Sequence, residues 1–202
     1  LKRAAKLHST LIHRRTRCLA RLDALLEILG PALHATVGSE LGSRTLLKFL
    51  AAGYADRHVV KRIGRTRLAQ FCRRHSRGAW GGALADALLG TAAETLDLWK
   101  GGNQITDLAE DVAIEARLAL QLTEKIKDLD ERTALLVKQA DPNSILTSAP
   151  GAAEITAAAI LGRFGNPNRF GSLAGARAFT GLVPSLGRLR PDRPARRAHQ
   201  AR

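Results

Sequence analysis

The chain has 202 residues, a formal net charge of +14 and a hydrophobic fraction of 45%. A core is therefore affordable by composition, and it must be aliphatic, because Phe, Trp and Tyr are few. No apolar run reaches the length a membrane span needs, and the basic start Leu-Lys-Arg-Ala-Ala-Lys-Leu-His has no apolar centre behind it, so neither a transmembrane helix nor a secretory signal is expected.

A cytoplasmic chain without a membrane partner is expected. Cys18 and Cys72 form no CxxC pair, so neither a disulfide framework nor a zinc knuckle is indicated, and Cys72 with His75 lacks further ligands. Methionine is absent, so Leu1 is expected to be an internal position of a longer parent. The charge is uneven: residues 1–78 balance at +13, residues 79–162 at −7 and residues 163–202 at +8. Two basic ends around an acidic middle fit a polyanion partner, bound through counterion release.

The predicted elements are all helices. Leu7, Leu11, Cys18, Leu22, Leu25 and Leu29 share one face of a first helix that Gly30-Pro31 ends, with Lys6, Arg14, Arg17 and Arg21 on the other face. Shorter helices are expected over residues 44–52, 57–63 and 66–75. Gly64 breaks a basic unit of Lys61, Arg62, Arg65, Arg67, Arg73, Arg74 and Arg77. A helix-turn-helix with its turn at Gly64 is the sharper reading, and a set of phosphate contacts or a solvated face the plainer one. Glycines at 78, 81, 82, 90, 101 and 102 mark a looser segment.

The best-defined element follows. Thr106 is expected as N-cap, with Asp107, Glu110 and Asp111 in the first turns. Leu108, Glu115, Leu122, Leu129 and Leu136 recur every seven residues, and Val112, Ala119, Ile126 and Thr133 form a second seam. This predicts a coiled-coil-like helix ending at Asp141-Pro142. It could pair two copies of the chain, giving a homo-oligomer, or pack against the first helix of its own chain; the homo-oligomer is carried as an expected partner. The expected divisions are a basic helical region 1–105, the heptad helix 106–140, a C-terminal domain 141–185 and an Arg-rich tail 186–202. No strand-like alternation occurs, and the fold class is all-α, a long helix followed by a small helix-hairpin-helix-like domain.

In that last domain a short helix before Pro150-Gly151 and an alanine-rich helix after it predict a helical hairpin. Its exposed amides and the positive end of its second helix could face a phosphate. Ala153 stands where such motifs usually carry a second glycine. The order Ser148-Ala149-Pro150-Gly151, Thr156-Ala157-Ala158, Arg169-Phe170-Gly171-Ser172 and Gly181-Leu182-Val183-Pro184 resembles the C-terminal transposase domain of the insertion-sequence family one-ten, grouped with one-sixteen and nine-oh-two. The resemblance implies a DNA transposition and recombination role by strand cleavage and transfer. It also implies a divalent metal such as magnesium on an acidic domain, an attacking serine and, in some members, a guide RNA, and it places the protein at the nucleoid.

The acidic domain would precede Leu1, and the Ser-Gly expected beyond Pro184 is missing; Ser185 falls too early. No catalytic or metal-binding residue is therefore assigned, and the chain is expected to be an inactive DNA-binding fragment. A frameshift near Ser185 would explain the tail. Written in GC-rich codons and read one base later, residues 193–202 give Gly-Arg-Pro-Gly-Gly-Pro-Thr-Lys-Arg, the family's own continuation. The residues expected at DNA are Pro150, Gly151, Ala153 and Thr156 at the hairpin; Arg163, Arg169 and Arg177 beyond it; and Arg14, Arg17, Arg62, Arg65, Arg73 and Arg74 on the basic helices. The competing readings are a non-enzymatic basic nucleic-acid-binding module and a structural coiled coil. Low aromatic content speaks against a base-stacking single-strand binder.

Overall fold

The computed structural model describes residues 1–37, 41–76, 80–98 and 104–181. Arg77, Gly78, Gly101, Gly102, Asn103, Leu182–Ser185 and the tail 186–202 lie outside the described residues. Among the described residues every regular element is helical: α1 Lys2–Leu29, α2 Pro31–Val37, α3 Arg44–Phe49, α4 Arg57–His75, α5 Gly82–Leu98, α6 Gln104–Ala140, α7 Glu154–Phe164 and α8 Leu173–Thr180. The all-α expectation holds. The chain divides into two compact units, Leu1–Arg163 and Phe164–Arg202.

In the first unit, α1 packs antiparallel to α6. The polar ties run in opposite directions along the two helices: His8 lies 3.0 Å from Asp130, Arg15 Nε donates to Thr123 Oγ1 at 2.8 Å, and Arg21 pairs with Glu115 at 2.9 Å. The seam of α6 is thus occupied within the chain. Val112, Ala119, Leu122, Ile126, Leu129 and Thr133 are buried as the heptads predict, and so are Ala109, Ala113, Ala116 and Val137, which a search for large apolar residues passes over. These alanines hold little apolar area and let a neighbouring backbone come close. On α1, Leu22, Leu26 and Leu29 are fully buried, whereas Leu7 is half exposed. Helix α6 begins two residues before Thr106, which is therefore inside its first turn and does not cap it.

Gly30 separates α1 from α2 in an extended conformation, and its amide still donates to Leu26 O. A Cβ there would lie 2.6 Å from Thr95 Oγ1 on α5, below any real contact. Thr95 is fully buried, and its hydroxyl donates to Thr91 O at 2.8 Å, so a stiff β-branched side chain fills the space. Helix α3 runs into a π-type turn, Leu50–Tyr54. Phe49, Tyr54 and Phe71 pack with ring centroids 5.0–6.3 Å apart, Phe71 edge to face with the other two, and Thr45 Oγ1 donates to His75 O at 2.7 Å, which locks α3 to the end of α4.

At the start of α4, Asp56 accepts from the His58 amide at 2.8 Å. The next residue, Arg57, is fully buried, and none of its three guanidinium nitrogens has a hydrogen-bond partner. Burial pushes its pKa down to about 10, against the pull of Asp56. A buried cation without partners is destabilising relative to an apolar side chain of its volume.

Two expected outcomes follow from this packing. Gly30→Ala should lower stability by about 1–3 kcal/mol through overpacking, seen as a lower urea midpoint. Adding Thr95→Ala should give less than the sum of the two losses, and simple additivity would contradict the clash. Arg57→Met should raise stability by about 1–4 kcal/mol; a lower thermal midpoint would show that Arg57 has a partner in solution.

Candidate nucleic-acid interface

Helix α4 carries the densest cationic stretch. Its two halves meet at Gly64, where φ 75° and ψ 169° interrupt the helix. An L-residue rarely adopts that φ, so the break is written into the glycine. Lys61, Arg62, Arg65, Arg67, Arg73 and Arg74 are all exposed. They are not equally available. Arg65 holds Asp86 of α5 through two hydrogen bonds, Nε at 2.6 Å and Nη2 at 2.8 Å. That pairing raises the Arg65 pKa and holds the Asp86 carboxyl below the usual range. Arg62, Arg67, Arg73 and Arg74 have no carboxylate partner among the described residues. Desolvation, with the positive charges of Lys48 and Arg74 nearby, lowers the His75 pKa.

On α1, Arg14 and Arg17 are exposed and unpaired among the described residues, while Arg15 and Arg21 are committed to α6. Arg44 of α3 is likewise spent on Glu124, at 2.7 Å. The sequence supplies the cations; the fold sorts them into structural and free.

At the predicted hairpin, Asp141 is the organising residue. Its buried carboxylate accepts from the Ile145 amide at 3.0 Å and the Leu146 amide at 2.8 Å. Consecutive turns follow in place of the expected short helix, and Gly151, at φ 80°, turns the chain toward α7. Pro150, Gly151, Ala153 and Thr156 are exposed there, while Ala157 and Ala158 pack with Val137, Leu146 and Leu161. Glu154 occupies the first turn of α7, so a carboxylate already sits at the positive helix end. An open groove of about 500 Å³ beside it is lined by Glu131, Asp141 and Glu154 against a single Lys138. That balance disfavours phosphate at the hairpin. Arg163 is at the far end of α7, about 14 Å away along the axis at 1.5 Å per residue.

The second unit holds a cluster that sequence reasoning missed. Phe164, Phe170 and Phe179 meet with ring centroids 5.3–5.7 Å apart. The Arg169 guanidinium lies 4.6 Å from the Phe170 centroid and 4.5 Å from that of Phe179. Asn166 caps the short turn Pro167–Arg169, and Ser172 Oγ accepts from the Gly175 amide at the start of α8, which carries the exposed Arg177. The overlooked signal was local: three of the chain's five phenylalanines fall within residues 164–179.

Residues 143–187 match the family described as Transposase IS116/IS110/IS902 family. The resemblance to that family therefore holds over this segment, which includes the hairpin turn, α7, the aromatic cluster and α8. No curated protein and no solved structure matches the chain. Among the described residues no three His, Cys, Asp or Glu side chains converge as metal ligands. None of the described helices is long and apolar enough to cross a membrane.

Asp141→Ala should cost about 1–2 kcal/mol, as loss of a cap does, and should speed hydrogen exchange at the Ile145 and Leu146 amides. Unchanged exchange there would show that the turns hold without the carboxylate.

Proposed function

We propose that the chain acts in DNA transposition as a DNA-binding part of a transposase. The observation that carries this reading is the family match at residues 143–187. Support comes from the free cations. Arg14 and Arg17 on α1, and Arg62, Arg67, Arg73 and Arg74 on α4, are exposed without carboxylate partners among the described residues, so each can neutralise a backbone phosphate and release its counterions. Arg163, Arg169 and Arg177 extend this within the matched segment. Arg65 contributes less, because a phosphate must compete with Asp86. Pro150, Gly151, Ala153 and Thr156 offer backbone approach only, beside Glu154. A homo-oligomer through α6 would have to use the outward Ile114, Leu118 and Leu135, since α1 covers the inner seam.

Titration of a short duplex by fluorescence anisotropy, at salt between about 50 and 200 mM, tests the reading. Log affinity should fall linearly with log salt, and Arg62→Ala, Arg73→Ala and Arg74→Ala should each reduce the slope by about 0.9. Arg65→Ala should change it less. Absence of binding at the lowest salt would end the proposal. One observation favours a second reading, a non-enzymatic nucleic-acid-binding module: the free cations of α1 and α4 lie outside the matched residues. Equal affinity for duplex RNA, with the same salt slope, would favour it.

A further inference from the structure

We propose that Phe179 and Arg169 form a stacking site for an unpaired nucleotide of single-stranded DNA. The inference rests on the DNA-binding reading and adds to it a site that recognises base faces rather than phosphates alone.

Three observations carry it. First, the cluster lies at a surface: Phe179 is 51% exposed, and neither the Pro167–Arg169 turn nor α8 buries a residue. Phe179 packs against Phe164 and Phe170 and carries Arg169 over its ring, yet about half of its surface stays in water, so a base can add to the ring and guanidinium at the exposed side. Second, Arg169 is held in place without being used up. Its guanidinium rests over two rings and is exposed, yet it has no carboxylate or hydrogen-bond partner among the described residues. Cation–π contact fixes the plane and leaves its N–H donors free, a geometry suited to a phosphate or to a base edge. Third, residues 164–181 contain no acidic side chain, so nothing local repels a polyanion or competes for Arg169.

The occupant follows from these faces. A duplex stacks its bases on one another and presents only phosphates and edges, so it cannot use an exposed ring. An unpaired nucleotide can lay its base on Phe179 while its phosphate meets Arg169, and stacking of this kind is tolerant of base identity. The chain's low overall aromatic content does not speak against this, because the rings are concentrated at one place.

The test compares three probes on the whole chain: labelled oligo(dT), an abasic strand of the same length, and a duplex. The abasic strand keeps the phosphates and removes the faces. Wild-type protein should bind oligo(dT) about five- to a hundredfold more tightly than the abasic strand, the range that base–aromatic stacking gives. Phe179→Ala should erase that difference while leaving duplex affinity in place. Phe179→Trp keeps a ring and guards against a folding artefact. It should retain the preference, and oligo(dT) should quench its emission beyond that of the two native tryptophans, whereas duplex should not. Equal wild-type affinity for oligo(dT) and the abasic strand overturns the proposal while leaving charge-driven DNA binding intact. Binding to oligo(dT) with the preference intact but no duplex affinity supports this site and overturns the reading of the basic helices. If Phe179→Ala keeps the preference and instead weakens self-association in sedimentation, the patch is a protein contact and the proposal fails.

Discussion

The close antiparallel contact between α1 and α6 is the constraint on which the larger unit depends. Helix α6 is 37 residues long, a length at which an isolated amphipathic helix would leave a continuous apolar stripe in water. Helix α1 covers much of that stripe with Cys18, Leu22, Leu26 and Leu29, and the alanines at 109, 113, 116 and 119 leave room for neighbouring elements to approach. Burying a leucine side chain contributes about 1.5–3 kcal/mol, and the row of fully buried leucines supplies most of the cohesion available to a core with few aromatic rings. Polar ties at Arg15, Arg21 and His8 fix the register; the Arg21–Glu115 pair adds little stability, because Arg21 is largely exposed.

That contact also decides which charges remain for a ligand. Arg15, Arg21 and Arg44 are drawn onto α6, Arg65 onto α5, and Arg57 is enclosed. What is left outward, on α1 and α4, is a smaller set than the composition suggests. Net charge therefore overstates the surface that phosphate can meet, and a position-by-position account is more informative than the total of +14. The hairpin makes the opposite point. The turn at Pro150-Gly151 is exposed, and Glu154 and the groove beside it place carboxylates next to it.

Much of the helical framework was legible because it rests on local physics. The Gly30-Pro31 stop, the break at Gly64 and the end of α6 before Asp141-Pro142 are set by residues whose backbone restrictions do not depend on distant partners. Boundaries and caps were less legible. Thr106 looked like a cap and is inside a helix, and the segment before Pro150 looked helical and is a set of turns gathered by the Asp141 carboxylate. Both depend on which amides lack partners once neighbouring residues are in place.

The sequence by itself determined that the chain is helical, that its charge is split between basic ends and an acidic middle, and that residues 143–187 resemble a transposase segment. These follow from periodicity, composition and motif order, which are properties of a linear string. Only the tertiary structure decided that the heptad seam is filled by α1, that Arg65 is paired while Arg62 is free, and that Phe164, Phe170 and Phe179 share one cluster under Arg169. Each is a contact between residues separated along the chain, where direction and distance, not residue type, determine whether two side chains meet.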